Sequence, residues 1–263
     1  MSVFLLGGGW SRDPEPQVWG GFVAQARARA GSRDPRVRLV VIGVDEESRG
    51  YHQRYLEVLT RLGLPDALVE RVPPGEACPA QALEDLDGLV VGGGPTPAYL
   101  TAMGPLTEQV RALVSDGLPY AGFSAGAAIA GTHAVVGGWR LDGVPVCPQE
   151  SDEGLDEVAV LTGLGLVTGA IDVHAAAWGN LSRLVAVVGA GLAPHGVAID
   201  EDTALRAELA ADRAPAGAAY ARPGADQVTG AGRVWRVAPT ASEEQLGEAS
   251  GRSRAVTTLV ERL

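Results

Sequence analysis

Cysteine is scarce: 263 residues contain two, Cys78 and Cys147. They lie far apart and in no C-x-x-C pair, which excludes a disulfide framework and a thiolate zinc site and points to the cytoplasm. Positive charge is also short, with 21 Lys and Arg against 32 Asp and Glu and a formal net charge of -11. A nucleic-acid partner is therefore not expected, because phosphate binding draws on clustered cations; a small or cationic substrate fits better. No stretch approaches the roughly 18 to 20 uninterrupted apolar residues of a membrane span, and Met1–Gly7 lacks the basic and apolar segments of a leader. No membrane association is expected, and these residues read as a buried strand. Histidine is limited to His52, His133, His174 and His195, without zinc-ligand spacing, and the Walker lysine and G-x-G-x-x-G are missing. No metal and no cofactor are expected.

What is present is a core-forming composition, 46% hydrophobic, with 36 Gly and 17 Pro scattered between periodic segments. Apolar runs at Val3–Leu6, Val37–Val44, Ala67–Val72, Gly88–Val91 and Pro119–Phe123 are separated by amphipathic stretches such as Ser48–Leu62 and Pro105–Val114. This alternation predicts a three-layer, doubly wound, mostly parallel α/β sheet with its site beyond the carboxyl ends of the strands. The segment 133–166 reads as a long excursion carrying a hairpin or loop. Beyond it the sequence predicts strands at Ala170–Val173 and Gly196–Asp200, a helix near Gly179–Val188, and hairpin strands at Ala204–Leu209 and Arg233–Ala238. With no repeat or linker, residues 1–263 read as a single domain with a polar tail from about 240, helical from Glu243 and apolar at its end.

Gly122-Phe123-Ser124-Ala125-Gly126 follows an extended run and precedes small helix formers. It is the pattern of a nucleophile elbow, a strained turn that needs small neighbours and presents Ser Oγ to substrate; its structural alternative is a glycine-rich packing turn. Gly92-Gly93-Gly94 after strand Leu89–Val91 lets backbone N–H groups approach a substrate oxygen. Gly7-Gly8-Gly9 reads as close backbone packing. A serine nucleophile needs a base, and His174, ending an apolar strand, is best placed. His52 is expected on a helix surface, His133 beyond a helix that carries it away, and His195 at the opposite end of the sheet. For the acid that orients the base, Glu150, Asp142 and Glu201 compete.

In their order, Gly92–Gly94, Gly122–Ala127, Gly163-Leu164-Gly165-Leu166, Asp172-Val173-His174 and Gly196–Ala204 resemble the dipeptidase E and cyanophycinase family of serine peptidases. The resemblance implies a class I glutamine-amidotransferase-like (flavodoxin-like) fold with Ser in place of the amidotransferase Cys. It implies Ser124 as nucleophile, His174 as base, Gly94 and Ala125 as oxyanion donors, and an acid between Ser and His, which makes Glu150 the first choice. Gly93, Pro95, Asp172, Trp178, Asn180 and Arg183 are the expected substrate contacts. Two departures stand out: of the arginines that follow the His in cyanophycinase-like members only Arg183 is present, and Pro95 stands where Asn or Asp is usual. Losing the guanidinium forks weakens recognition of carboxylates. The resulting expectation is hydrolysis of amide bonds in dipeptides or short peptides by a Ser-His-Glu/Asp triad. An esterase or amidase acting on a small peptidyl conjugate and a catalytically idle binding protein are the alternatives. Homodimerisation is expected only from the commonness of symmetric dimers.

Overall fold

Runs rich in Val, Leu and Ile belong in strands covered on both faces, and the computed structural model, which describes residues 2–208, 227–240 and 258–263, builds most of its first sheet from such runs, with β3 as a partly exposed edge. In chain order these are β1 (Ser2–Leu6), β2 (Val37–Ile42), β3 (Leu68–Val72), β4 (Gly88–Val91) and β5 (Tyr120–Phe123), with crossovers through α1 (Glu15–Ala30), α2 (Glu46–Arg61), α3 (Thr96–Met103) and α4 (Thr107–Ser115). All five strands run parallel in the spatial order β1-β5-β4-β2-β3. Helix α2 shows why the crossovers form where they do. Asp45 accepts a hydrogen bond from the Ser48 amide at 2.8 Å, Glu46 and Glu47 fill the first turn, and Arg61 closes the last, so cap and dipole agree.

After the single turn α5 (Ala125–Ala128) the chain enters a second sheet. It contributes β6 (Gly131–Gly137), the hairpin β7 (Arg140–Leu141) and β8 (Val144–Pro145), β9 (Ala159–Thr162), β10 (Val167–Val173), α6 (Asn180–Gly189) and β11 (Gly196–Ile199). Next, β12 (Thr203–Glu208) and β13 (Gln227–Gly230) return antiparallel to the edge of the first sheet at β1, while β14 (Val234–Pro239) and β15 (Thr258–Arg262) extend the second. The second sheet is ordered β15-β14-β11-β10-β6-β9, with β6, β10 and β11 parallel.

Three apolar clusters define the layers. One face of the first sheet packs Phe4, Leu6, Leu39, Val41 and Val90 against Trp19, Phe22, Tyr55 and Leu59 of α1 and α2. The other packs Leu5, Leu89 and Val91 against α3 and α4 and against Ile171, Val173, Val197 and Ile199 of the second sheet. Leu184, Val187 and Val188 of α6 cover that sheet's outer face. The doubly wound sheet is the one expected, and the fold is class I glutamine-amidotransferase-like (flavodoxin-like).

The structure departs from the sequence reading in four places. The excursion 133–166 holds a strand on each side of a small hairpin. His133 therefore lies on β6, because α5 lasts one turn. His52 is buried, since α2 presents His52, Tyr55 and Leu59 on one inward face. The strands near 204 and 234 pair into different sheets. The helix expected from Glu243 lies mostly outside the described residues, as does Leu209, and the chain end Thr258–Arg262 is a strand. Among the described residues no helix is long and apolar enough to cross a membrane.

Candidate active site

Parallel neighbours in a sheet bring their carboxyl ends, and the loops that follow, to one edge. In the first sheet β4 and β5 are paired Val91 to Gly122, so Gly92–Gly94 and Ser124 emerge side by side. In the second, β10 and β11 are paired Val173 to Ile199, so His174 and Asp200–Glu201 do the same. The four segments converge.

Ser124 has φ 50° and ψ -109°, a conformation L-residues rarely hold and one that the surroundings must enforce. The Ser124 amide is held by the Leu6 carbonyl at 2.9 Å. Both elbow glycines are required by contact: a Cβ on Gly122 would lie 2.4 Å from the Gly126 carbonyl oxygen, and one on Gly126 would lie 2.2 Å from that of Val91. Beneath the turn the buried Tyr120 hydroxyl donates to the Gly126 carbonyl at 2.7 Å.

Ser124 Oγ and His174 Nε2 are 2.8 Å apart, and His174 Nδ1 lies 2.7 Å from Glu201 Oε1. Two close neighbours confine the imidazole. Trp178 stacks on it at 3.9 Å between centroids and 8° between planes, and Gly8 comes so close that a Cβ there would meet His174 Cε1 at 2.1 Å. The Gly7–Gly9 turn is thus backbone packed against His174: the His174 amide donates to the Gly7 carbonyl and the Asp202 amide to that of Gly8. Burial pushes the pKa of His174 below the ordinary imidazole value, and the Glu201 carboxylate acts in the opposite direction. A neutral imidazole that accepts from a hydroxyl and is oriented through its other nitrogen is the arrangement for withdrawing a serine proton.

Glu201, and not Glu150, occupies the position at Nδ1. Its neighbours explain the choice. Asp200 accepts from the Ala176 and Arg233 amides and Asp202 from the Ser11 amide and hydroxyl, so the flanking carboxylates pin the turn while Glu201 projects to the ring. Glu150 is exposed on a short 3-10 turn at the rim of the cleft. Asp142 sits in the β7–β8 turn with φ 51°, away from the cleft.

The cleft, of about 530 Å³, is lined by Gly94, Pro95, Ser124, His174, Trp178 and Glu201, by Trp10, Tyr51 and Phe123, and by Glu150, Asp152 and Glu153. Ala125 follows Ser124 directly, and among the described residues the Gly94 and Ala125 amides donate to no protein acceptor. Of the residues expected to contact substrate, Pro95 and Trp178 line the cleft. Gly93 lies behind its wall, where a Cβ would be 2.8 Å from Ser124 Cβ. Asp172, Asn180 and Arg183 do not reach it. Arg183 is buried and forms a two-pronged pair with buried Asp172 at 2.8 and 2.9 Å, and Asn180 donates to the Val173 carbonyl. These three anchor α6 to β10 from inside, because the inward face of α6 is the one that carries them. Trp10, Tyr51 and Glu153 were not foreseen, and Trp10, directly after the glycine triplet, was the signal available. Burial raises the pKa of Glu153, whose carboxylate accepts from the Thr96 amide and hydroxyl. Cys78 and Cys147 are free and buried, with the Cys78 thiol pushed up to about 11.

Residues 25–209 match the model of Peptidase family S51. The chain belongs to this family. The S51 assignment is consistent with two curated relatives, both cyanophycinases, from Trichormus variabilis (strain ATCC 29413 / PCC 7937) and Nostoc sp. (strain PCC 7120 / SAG 25.82 / UTEX 2576). Each is 31% identical over 195 residues, which are 71% of this chain and 58% of the relative. This chain thus spans under two thirds of the length of those relatives. Among solved structures, a peptidase from an acI-B1 Actinobacterium is similar in fold, with a TM-score of 0.57 and 18% identity, covering 89% of this chain and 88% of that one.

Proposed function

We propose that this S51 member hydrolyses amide bonds of dipeptides or short peptides by acyl transfer, with Ser124 as nucleophile, His174 as base and Glu201 as the acid that orients the base. The observation that carries the reading is the unbroken hydrogen-bond chain Glu201, His174, Ser124, which ends at a cleft. Ser124 Oγ adds to the amide carbonyl as His174 Nε2 takes its proton. The carbonyl oxygen, now an anion, turns to the Gly94 and Ala125 amides. The imidazolium, stabilised by Glu201, returns the proton to the departing amine, and water on the same base clears the acyl group.

The lining supports a substrate class. Four carboxylates, Glu150, Asp152, Glu153 and Glu201, face the cleft, and among the described residues no Lys or Arg does. A short peptide with a free amino terminus or a basic side chain is attracted there, whereas one bearing extra carboxylates is repelled. The aromatic walls of Trp10, Tyr51 and Trp178 offer the apolar surface typical of small-ligand sites.

The test is intact-mass analysis of wild type and Ser124→Ala after a fluorophosphonate, followed by a dipeptide panel with free and acetylated amino termini and matched esters. Labelling confined to wild type is expected, with free-amine or basic dipeptides cleaved about tenfold faster than acetylated acidic ones. Absence of both labelling and turnover would sink the reading, and cleavage of esters alone would replace it with an esterase.

A further inference from the structure

The two peptide groups that lead into Gly94 carry four polar atoms, and three are tied. The Gly92 carbonyl accepts from the Gly126 amide at 3.0 Å. The Gly93 amide donates to the Tyr55 hydroxyl at 2.7 Å. The Gly93 carbonyl accepts from the Tyr99 hydroxyl at 3.0 Å. Both phenols are buried and arrive from opposite faces of the first sheet, Tyr55 with the α1 and α2 layer and Tyr99 with the α3 and α4 layer. The fourth polar atom is the Gly94 amide, at the wall of the cleft that holds Ser124.

Peptide planarity turns this into a statement about direction. In a trans peptide the carbonyl and the following N–H point oppositely, and the described chain has no cis bond. A hydroxyl that draws the Gly93 carbonyl inward therefore aims the Gly94 N–H outward. Gly94 has φ 153° and no side chain to fix its plane, so without an external hold this peptide could turn over at small cost.

We propose that Tyr99 and Tyr55 are positioning residues that fix the Gly92–Gly94 backbone so that the Gly94 N–H faces the developing oxyanion. The inference deepens the acyl-transfer reading and rests on it. Burial raises the pKa of both phenols, which keeps the Tyr99 hydroxyl protonated and able to donate. Tyr99 also accepts from the Ile42 amide at 3.3 Å, which leaves its own proton for Gly93. Preorganised donors act because they need no reorganisation as charge develops, and loss of one such donor costs about 10² to 10³ in rate. A donor left in place but free to rotate should cost less than that.

The experiment measures fluorophosphonate labelling of the full chain, resolved into the limiting rate of inactivation and the apparent affinity, for wild type, Tyr99→Phe, Tyr55→Phe and Val110→Ala. The Val110 change trims a buried side chain of the same core on α4 and controls for lost stability. Tyr99→Phe should slow the limiting rate about tenfold or more and Tyr55→Phe to a smaller extent, with apparent affinity within about twofold, and Val110→Ala should label like wild type. Limiting rates within twofold of wild type for both tyrosine variants, or an equal fall in Val110→Ala, would overturn the clamp. Failure of wild type to label would overturn the nucleophile reading beneath it.

Discussion

Replacing Glu201 by Gln keeps the side chain's shape and removes its charge. His174 Nδ1 and Glu201 Oε1 are 2.7 Å apart, with the imidazole 8% and the carboxylate 34% exposed. Opposite unit charges about 4 Å apart at an effective dielectric of about 20 attract by about 4 kcal/mol. One-third exposure of the carboxylate roughly halves that through solvent screening, leaving about 2 kcal/mol of imidazolium stabilisation, or about 30-fold in rate. The amide also ceases to dictate which ring nitrogen carries the proton, and acid-to-amide changes in such triads cost about 10⁴ in total. Glu201→Gln should therefore lower the limiting labelling rate by a factor between about 10² and 10⁴, whereas Glu150→Gln, exposed and out of contact with the ring, should stay within about twofold. The assay is stopped-time labelling followed by intact mass, with circular dichroism confirming that both variants fold. A near-native Glu201→Gln beside an inert Glu150→Gln would refute the assignment of the acid.

Two other expectations concern stability and pH. Arg183→Leu strands the buried Asp172 carboxylate and should lower the free energy of unfolding in urea by about 3 to 5 kcal/mol, while a selective rise in KM at unchanged stability would return Arg183 to the substrate. His52, His174 and His195 all have pKa values lowered by burial, so the unfolded chain takes up more protons than the folded one below the ordinary value of 6.5. Stability should be full above that pH and fall as pH drops through the folded values, and the labelling rate should decline over the same acid range as His174 is protonated. A melting temperature that holds constant down to pH 5 would contradict this.

How far the residues alone could lead depended on the range of the interaction. The parallel strands were legible because a strand covered on both faces must be apolar throughout, and Ser124 because two glycines bracket it in a turn that tolerates nothing larger. His174 was legible as the end of one such strand. The acid was not. Glu201 is chosen by the pairing of Val173 with Ile199 between strands that a helix separates, a contact that no local pattern encodes. Arg183 and Asp172 misled for a related reason: a charged pair reads as a solvent-facing site unless the helix face that buries it is known. The second sheet was missed because the Gly- and Pro-containing hairpin separates β6 from β9 in sequence and breaks the apolar pattern between them.

Ser124 and the Gly94 amide follow strands of the first sheet, and His174 and Glu201 strands of the second, so the hydrogen-bonded set Ser124, His174 and Glu201 lies across the seam where the two are docked. On the proposed mechanism, a tetrahedral adduct on Ser124, held by amides that follow strands of one sheet and facing the imidazole of the other, would also be a tertiary rivet. Inhibition and mechanical reinforcement would then be one event, and slackening of the seam should silence the proposed chemistry while both sheets remain folded.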